Sequence, residues 1–244
     1  SDALRRVFEG VVALCISAGL VGGEAFSIDA SLIKADVDKM KRAPGDRPIA
    51  WPKAEEASHA VREYIAALDA ASGKVLWRKY VIPAPGEPGS ETWKDKNNAW
   101  QTGGGAFYVT GSYDPATNLT YWGSGNPAPR YDSAYRPGDN LFTNSTIAFD
   151  AASGKITWYF QHTANDNRDY DSSGSQIIVD GKVAGEDRKL LVHANRNGFN
   201  YTLDRQNGQF LKAVQYAAKV TWTKGIDSKT GKPVDYDPAK DVQN

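Results

Sequence analysis

Cysteine, methionine and histidine are nearly absent from this 244-residue chain, which holds one Cys, one Met and three His. The lone Cys15 excludes an internal disulfide and a cysteine-based zinc site, and three scattered His exclude a histidine-rich metal site. Excess charge is missing as well. The 29 basic and 29 acidic residues balance, so nothing in the charge draws the chain to nucleic acid or an anionic lipid surface. Apolar runs all fall short of the roughly 18 residues that a membrane span needs, so no membrane partner is expected. Against these absences stand 41% hydrophobic and 11% aromatic residues, seven of them Trp. That composition belongs to a folded chain of one or two domains with a sizeable core.

Two textures divide the sequence. In residues 1–62 the segment ALRRVFEGVVALCISAGL sets Leu4, Val7, Val11, Leu14 and Ala18 at spacings of three and four, which predicts a helix stopping near Gly19. Arg5 and Arg6 before the apolar run 11–21, with Gly22, Gly23 and Ala25 after it, loosely imitate a secretory signal, although Glu9 and the Gly pair fit one poorly. FSIDASLIKA is a short apolar patch, DKMKRAPGDRPIAWPK reads as a loop, and EEASHAVREYIAALDA at 55–70 suits a second helix.

From about residue 64 the pattern is that of many short antiparallel strands, apolar or aromatic runs broken by Gly, Asn, Asp and Pro. It repeats. YIAALDAASGKVLWRKY at 64–80 resembles STIAFDAASGKITWYFQ at 145–161, and YTLDRQNGQFLKA at 201–213 is a weaker third copy. In each, a strand ends in Asp (Asp69, Asp150, Asp204) and the chain turns through a Gly able to take positive φ. In the first two copies the returning strand carries a Trp, Trp77 or Trp158, positioned to pack on a neighbouring sheet. YDPATNLTYWG and IDSKTGKPV carry related turns. Units that must stack to bury both faces suit propeller blades better than a sandwich.

Two loops carry residue types suited to chemistry. GSGNPAP at 123–129 is either a tight turn and nothing more, or a loop whose Gly125 and Pro127 aim the amide oxygen of Asn126 at a hard cation. NDNRDYD at 165–171 is either a solvated Asx-turn cluster, or a site in which Asp169 is a base and Asp171, on the same side of an extended chain, adds a carboxylate to the cation.

These motifs carry a family resemblance. ALDAASGKVLW, PGEPGSETW, TGGGA, GSYDPATNLTYWGSGNPAP, RPGDN, AFDAASGKITW, DYD, RKLLVHANRNGFNYTLDRQNGQ and TWTKGIDSKTGKPV follow one another in the order found in the pyrroloquinoline quinone (PQQ)-dependent alcohol dehydrogenases. That is the methanol and ethanol dehydrogenase family of eight-bladed propellers, and the resemblance covers about three quarters of the chain. It implies Asn126 as an amide metal ligand, Asp169 as the base beside metal and quinone, and Asp171 as the extra carboxylate of lanthanide-using members. Ca2+ or a lanthanide is therefore the implied ion, because a further carboxylate favours a trivalent oxygen-seeking cation. Tyr108 falls where the family places a Trp under the quinone ring, leaving a smaller aromatic platform. The implied reaction oxidises an alcohol: the cation polarises the quinone carbonyl, Asp169 takes the alcohol proton and the hydride passes to the quinone. A periplasmic location and a cytochrome c electron acceptor follow from the same resemblance.

Several departures accompany it. The family's Glu metal ligand and adjacent Cys pair have no match, a basic residue on the quinone is expected only beyond Asn244, and Arg168 stands where a Trp is usual. Upstream, VFEGVVALCISAGLVGGEAFSIDASLIKADVDK followed by EEASHAVREYIAALD resembles insertion-sequence transposases, with Asp29 at the first acidic position of their metal triad. One carboxylate cannot build a two-metal site, so Asp29 is expected to be structural and nucleic acid is not an expected partner. The expected fold is thus mainly β: a partial propeller of about three blades over 63–244, after a short α-helical, transposase-like segment over 1–62. The expected function is that of a fragment of a PQQ-dependent alcohol dehydrogenase. The alternative is a truncated propeller that binds no cofactor and associates through open sheet edges.

Overall fold

The computed structural model describes residues 26–28, 64–69, 72–101 and 103–238. The helices expected in residues 1–62, and Asp29, lie outside the described residues. Where the second of those helices was expected to reach residue 70, Tyr64–Leu68 instead form a strand. Partners explain the outcome: this segment pairs antiparallel with a strand on each side, and tertiary pairing overrides helix propensity.

The Asp-to-Gly turn is the unit from which the rest is built. After strand β2 (Tyr64–Leu68), Asp69 N donates to Lys74 O and Gly73 N to Asp69 O, both at 2.8 Å, and Asp69 Oδ1 accepts from Ser72 N and Ser72 Oγ. The pair of backbone bonds recurs at Asp150 with Gly154, Asp204 with Gly208 and Asp227 with Gly231. The Asp carboxylate therefore satisfies turn amides in every copy, as its position predicts.

Three sheets result. The first has the order β1-β2-β3, with β1 at Phe26–Ile28 and β3 at Val75–Tyr80. In the second, β4 (Ser112–Asp114), β5 (Leu119–Gly123), β6 (Ser145–Asp150) and β7 (Ile156–Gln161) lie side by side in sequence order. The third repeats that order with β8 (Ile177–Val183), β9 (Glu186–Ala194), β10 (Phe199–Asp204) and β11 (Phe210–Gln215). Every pairing is antiparallel. No α-helix occurs among the described residues, where the helical pieces are two short 3-10 turns.

Each sheet is stapled to the next by its Trp. Trp77 Nε1 donates to Ala151 O at 2.9 Å, and Trp158 Nε1 donates to Arg205 O at 3.0 Å, in both cases the residue after the turn Asp of the following sheet. The indoles lie flat on the turn glycines, and a Cβ on Gly208 would come within 2.6 Å of the Trp158 ring. In the third copy Lys212 stands at the Trp position, and the Phe210 ring covers Gly231 instead. Core clusters fill the spaces between sheets. On β6, Ile147 and Phe149 face the cluster shared with Trp77, while Ala148 faces the one shared with Trp158, Leu191 and Leu203. That period of two makes a strand buried on both faces. Successive sheets docked face to face in this way are propeller blades, as the sequence implied.

Two fully buried histidines close the second interface, His162 after β7 and His193 on β9, with ring centroids 5.0 Å apart. Thr146 Oγ1 meets His162 Nε2, and His193 is held by Gln176, Ser175 O and Asn195. Burial drives both imidazoles down, His193 from 6.5 to about 4. A base depressed in the folded state takes up its proton in the unfolded chain first, so stability is lost as pH falls from the ordinary value towards the folded one. Unfolding free energy is expected to drop between about pH 6.5 and pH 4 by roughly 1.4 kcal/mol per pH unit per histidine. A His193→Gln variant should lose about one proton of that dependence in denaturant melts at successive pH. Replacing Trp158 with Ala should cost roughly 3–5 kcal/mol in the same assay.

Candidate functional site

Connections differ sharply between the two ends of the sheets. At one end, β4–β5, β6–β7 and β10–β11 close through short turns; at the other, long segments leave β3, β5 and β7, and the short β9–β10 turn joins them. Every predicted site residue lies on the second end, since Tyr108 precedes β4, Asn126 follows β5, and Asp169 and Asp171 follow β7.

The loop of Asn126 is stitched to the glycine run 103–105. Gly105 N donates to Asn126 O, Gly125 N donates to Ala106 O, and Gly104 and Pro127 form an isolated bridge. A Cβ on Gly125 would sit 2.8 Å from Asp171 Oδ1 and would displace that carboxylate. That oxygen accepts the Asn126 backbone N–H at 2.9 Å, and Arg196 Nη1 binds Asp171 Oδ2 at 2.8 Å. Asn126 Nδ2 donates to Pro127 O, leaving its amide oxygen without a hydrogen-bond partner among the described residues. Tyr108 is half exposed; its phenol is pushed up by partial burial and then by the adjacent Asp171 carboxylate. Tyr108, Asn126 and Asp171 are thus together.

Asp169 stands to one side. Its carboxylate meets Arg130 Nη1 at 3.3 Å and Tyr131 Oη at 3.5 Å. Arg130 is raised by its bond to Tyr131 and by the charges of Asp169 and then Asp171, so both carboxylates act on one guanidinium. The extended geometry expected for 169–171 is not found. Asp169 and Asp171 have φ of 62° and 36°, in the left-handed region, and they engage different arginines. Arg168, between the loop and the C-terminal segment, lies over the Tyr236 ring at 5.5 Å.

What joins the loops is Arg136, from RPGDN. Its guanidinium is fully buried and donates to Pro129 O, Arg130 O, Asn140 Oδ1, Asn165 Oδ1 and Asp166 O at 2.5–3.0 Å. Burial lowers it to about 10. The loop of Asn126 and the loop of Asp169 therefore close on the same cation.

Arg136 and Arg196 were not expected at the site. Arg130 and Arg196 are the basic side chains that meet Asp169 and Asp171. The available signals were RPGDN itself and an Arg in the Asn-Gly turn NRNG at the same end of the sheets.

The donor set suits a hard cation. Asn126, Asp169 and Asp171 offer oxygen atoms only, and calcium and lanthanide ions take oxygen ligands. Among the described residues no three His, Cys, Asp or Glu side chains gather to hold a metal. Three residues are fewer than the six to eight oxygens such ions take, so further ligands must come from elsewhere. Arg196 would compete with a cation for Asp171.

The sequence profile of the PQQ glucose/ethanol/alcohol dehydrogenase β-propeller domain matches residues 50–224. Among similar proteins, a quinohemoprotein alcohol dehydrogenase of Comamonas testosteroni is 38% identical over 197 residues, covering 76% of this chain and 28% of that protein. The quinoprotein alcohol dehydrogenase PedH of Pseudomonas putida is 43% identical over 155 residues, covering 64% of this chain and 25% of the relative. The crystal structure of the Comamonas testosteroni quinohemoprotein alcohol dehydrogenase superposes with a TM-score of 0.67 over 72% of this chain and 28% of that one, at 38% identity. A europium-containing methanol dehydrogenase also gives a TM-score of 0.67, at 33% identity, over 72% of this chain and 33% of that chain. The chain therefore spans about a quarter to a third of the length of these relatives. Nothing in these comparisons supports the transposase-like reading of residues 1–62.

Substituting Met for Arg136 leaves four carbonyl or amide oxygens of two loops, and Asp166 O, without their donor. Loss of roughly 3–5 kcal/mol of unfolding free energy is expected, the range for stripping one partner from a buried charged network. Chemical denaturation of the variant against the native chain measures it; a loss below about 1 kcal/mol contradicts the clasp.

Proposed function

The chain belongs to the PQQ glucose/ethanol/alcohol dehydrogenase β-propeller family, and we propose that it is the part of such an enzyme that supplies an alcohol-oxidising site with three of its metal ligands, one of which is also the base. The observation that carries the reading is the convergence of Tyr108, Asn126 and Arg196 on the Asp171 carboxylate, with Asp169 beside it on Arg130.

Asn126, Asp169 and Asp171 are the residues that would hold Ca2+ or a lanthanide. The bound quinone and cation would supply a hydride acceptor and Lewis acidity. Asp169 accepts the proton of the alcohol hydroxyl at its Oδ2 edge, where Tyr131 and Arg130 fix its orientation. Tyr108 offers a half-exposed ring as a platform for a flat ligand. Arg196 balances Asp171 until a cation replaces it, and then becomes a free donor at the edge of the same site. Asp171 raises the negative charge of the ligand set and so tilts it towards a trivalent ion, a preference supported by the likeness to a europium-containing methanol dehydrogenase.

A primary alcohol as substrate, a cytochrome c as electron acceptor and work in the periplasm belong to the same proposal. The quinohemoprotein names among the relatives support a haem-type acceptor. Among the described residues no helix is long and apolar enough to cross a membrane.

The test is to express the chain, add PQQ with Ca2+ or La3+, and measure cofactor retained after gel filtration together with dye-linked alcohol oxidation. Cation-dependent retention is expected, with Asp169→Asn abolishing oxidation yet keeping the metal, and Asp171→Ala lowering the La3+ to Ca2+ affinity ratio at least tenfold. No retention under either ion favours a truncated propeller without a cofactor. Equal oxidation by native and Asp169→Asn chains removes Asp169 as the base.

A further inference from the structure

Asp169 holds a left-handed backbone conformation, φ 62°, uncommon for a residue with a side chain although Asp and Asn enter it more readily than most. A single carboxylate three residues earlier bonds the backbone on both sides of it. Asp166 Oδ1 accepts the Arg168 N–H at 2.9 Å, and Asp166 Oδ2 accepts the Tyr170 N–H at 2.8 Å. The two amides are those of the residues on either side of Asp169, so the peptide is gripped before and after it. Amide bonds to a carboxylate are about twice as strong as those to a neutral acceptor.

The flanking side chains are fixed too. Arg168 lies over Tyr236, and Tyr170 packs against Trp222 with ring centroids 5.6 Å apart. Asp166 is fully buried and makes no contact with the groups that bind Asp169 or Asp171 through their side chains, while its own carbonyl is held by Arg136. Its carboxyl is pushed up by burial and drawn back by the two amides, Asn144 and the Arg136 charge.

We propose that Asp166 is a positioning residue, whose bidentate grip on the Arg168 and Tyr170 amides sets the left-handed conformation of Asp169 and thereby aims Asp169 and Asp171 at the cation site. The grip is a property of the fold; its consequence for the cation rests on the functional reading above. An Asn at this position keeps one acceptor oxygen but turns an NH2 donor towards the other amide, which both removes a bond and opposes two donors.

The experiment uses the full chain labelled with 15N and 13C, with Tb3+ alone as the probe of the cation site. In Asp166→Asn, exchange protection at the Arg168 or Tyr170 amide is expected to fall at least tenfold, the Asp169 Cα and Cβ shifts to leave the left-handed range, and Tb3+ to bind at least tenfold more weakly. Trp158→Phe, a destabilising change between the blades, should leave Tb3+ affinity unchanged and so separates aiming from general loss of stability. Unchanged protection and shifts in Asp166→Asn overturn the grip. Altered shifts with native Tb3+ affinity, or equal loss of affinity in Trp158→Phe, overturn the positioning role. If the native chain binds no Tb3+, the functional reading fails, and the exchange and shift data still decide the grip.

Discussion

The buried guanidinium of Arg136 is the constraint on which the site end of this chain depends. A fixed charge without water is tolerable only when its donors are all met by acceptors, and here carbonyls and amide oxygens from two inter-strand connections meet them. Pro129 and Arg130 bring the loop of Asn126, Asn140 brings RPGDN, and Asn165 and Asp166 bring the loop of Asp169. Segments this long would otherwise pay heavily in conformational entropy. Closing them on a common cation converts two loops into one platform, which carries the largely buried carboxylates and, at its surface, Arg130 and Arg196.

The opposite end works by a different logic. There the turns are short and self-sufficient, each Asp satisfying the amides of its own turn, with Gly154, Gly208 and Gly231 each receiving an indole or phenyl ring. The Trp staples give the blades their spacing, and the alternating faces of β6 feed two separate cores. A stiff stack of sheets at one end leaves the other end free to carry chemistry, the division expected where function sits on loops over a rigid scaffold.

Legibility in the sequence followed range. The Asp, Gly and Trp of the repeats sit within nine residues of one another, so their turns and strands were readable, and the family resemblance turned those strands into blades. The segment at 64–68 reads equally as helix or strand by periodicity; only its partners on both sides decide it. Asn126, Tyr108 and Asp171 were singled out by resemblance, and the structure brings them together. That Asp169 and Asp171 share an extended face was the natural inference from spacing, but positive φ at both residues sends them to different arginines. Arg136, Arg196 and Asp166 escaped notice because their meaning lies in partners outside their own motifs, or in backbone amides that any residue type would present. No local pattern encodes such contacts.

Asn126, Asp169 and Asp171, carried on the clasped loops, are proposed as the oxygen donors that would hold a hard cation. The most direct test is the luminescence lifetime of Eu3+ bound to the chain, compared in H2O and D2O, which counts the waters left on the ion. Eu3+ on the native chain should carry fewer waters than the free ion, and Asp171→Asn should restore at least one. A water count equal to that of the free ion, or one that does not change in Asp171→Asn, would contradict the account.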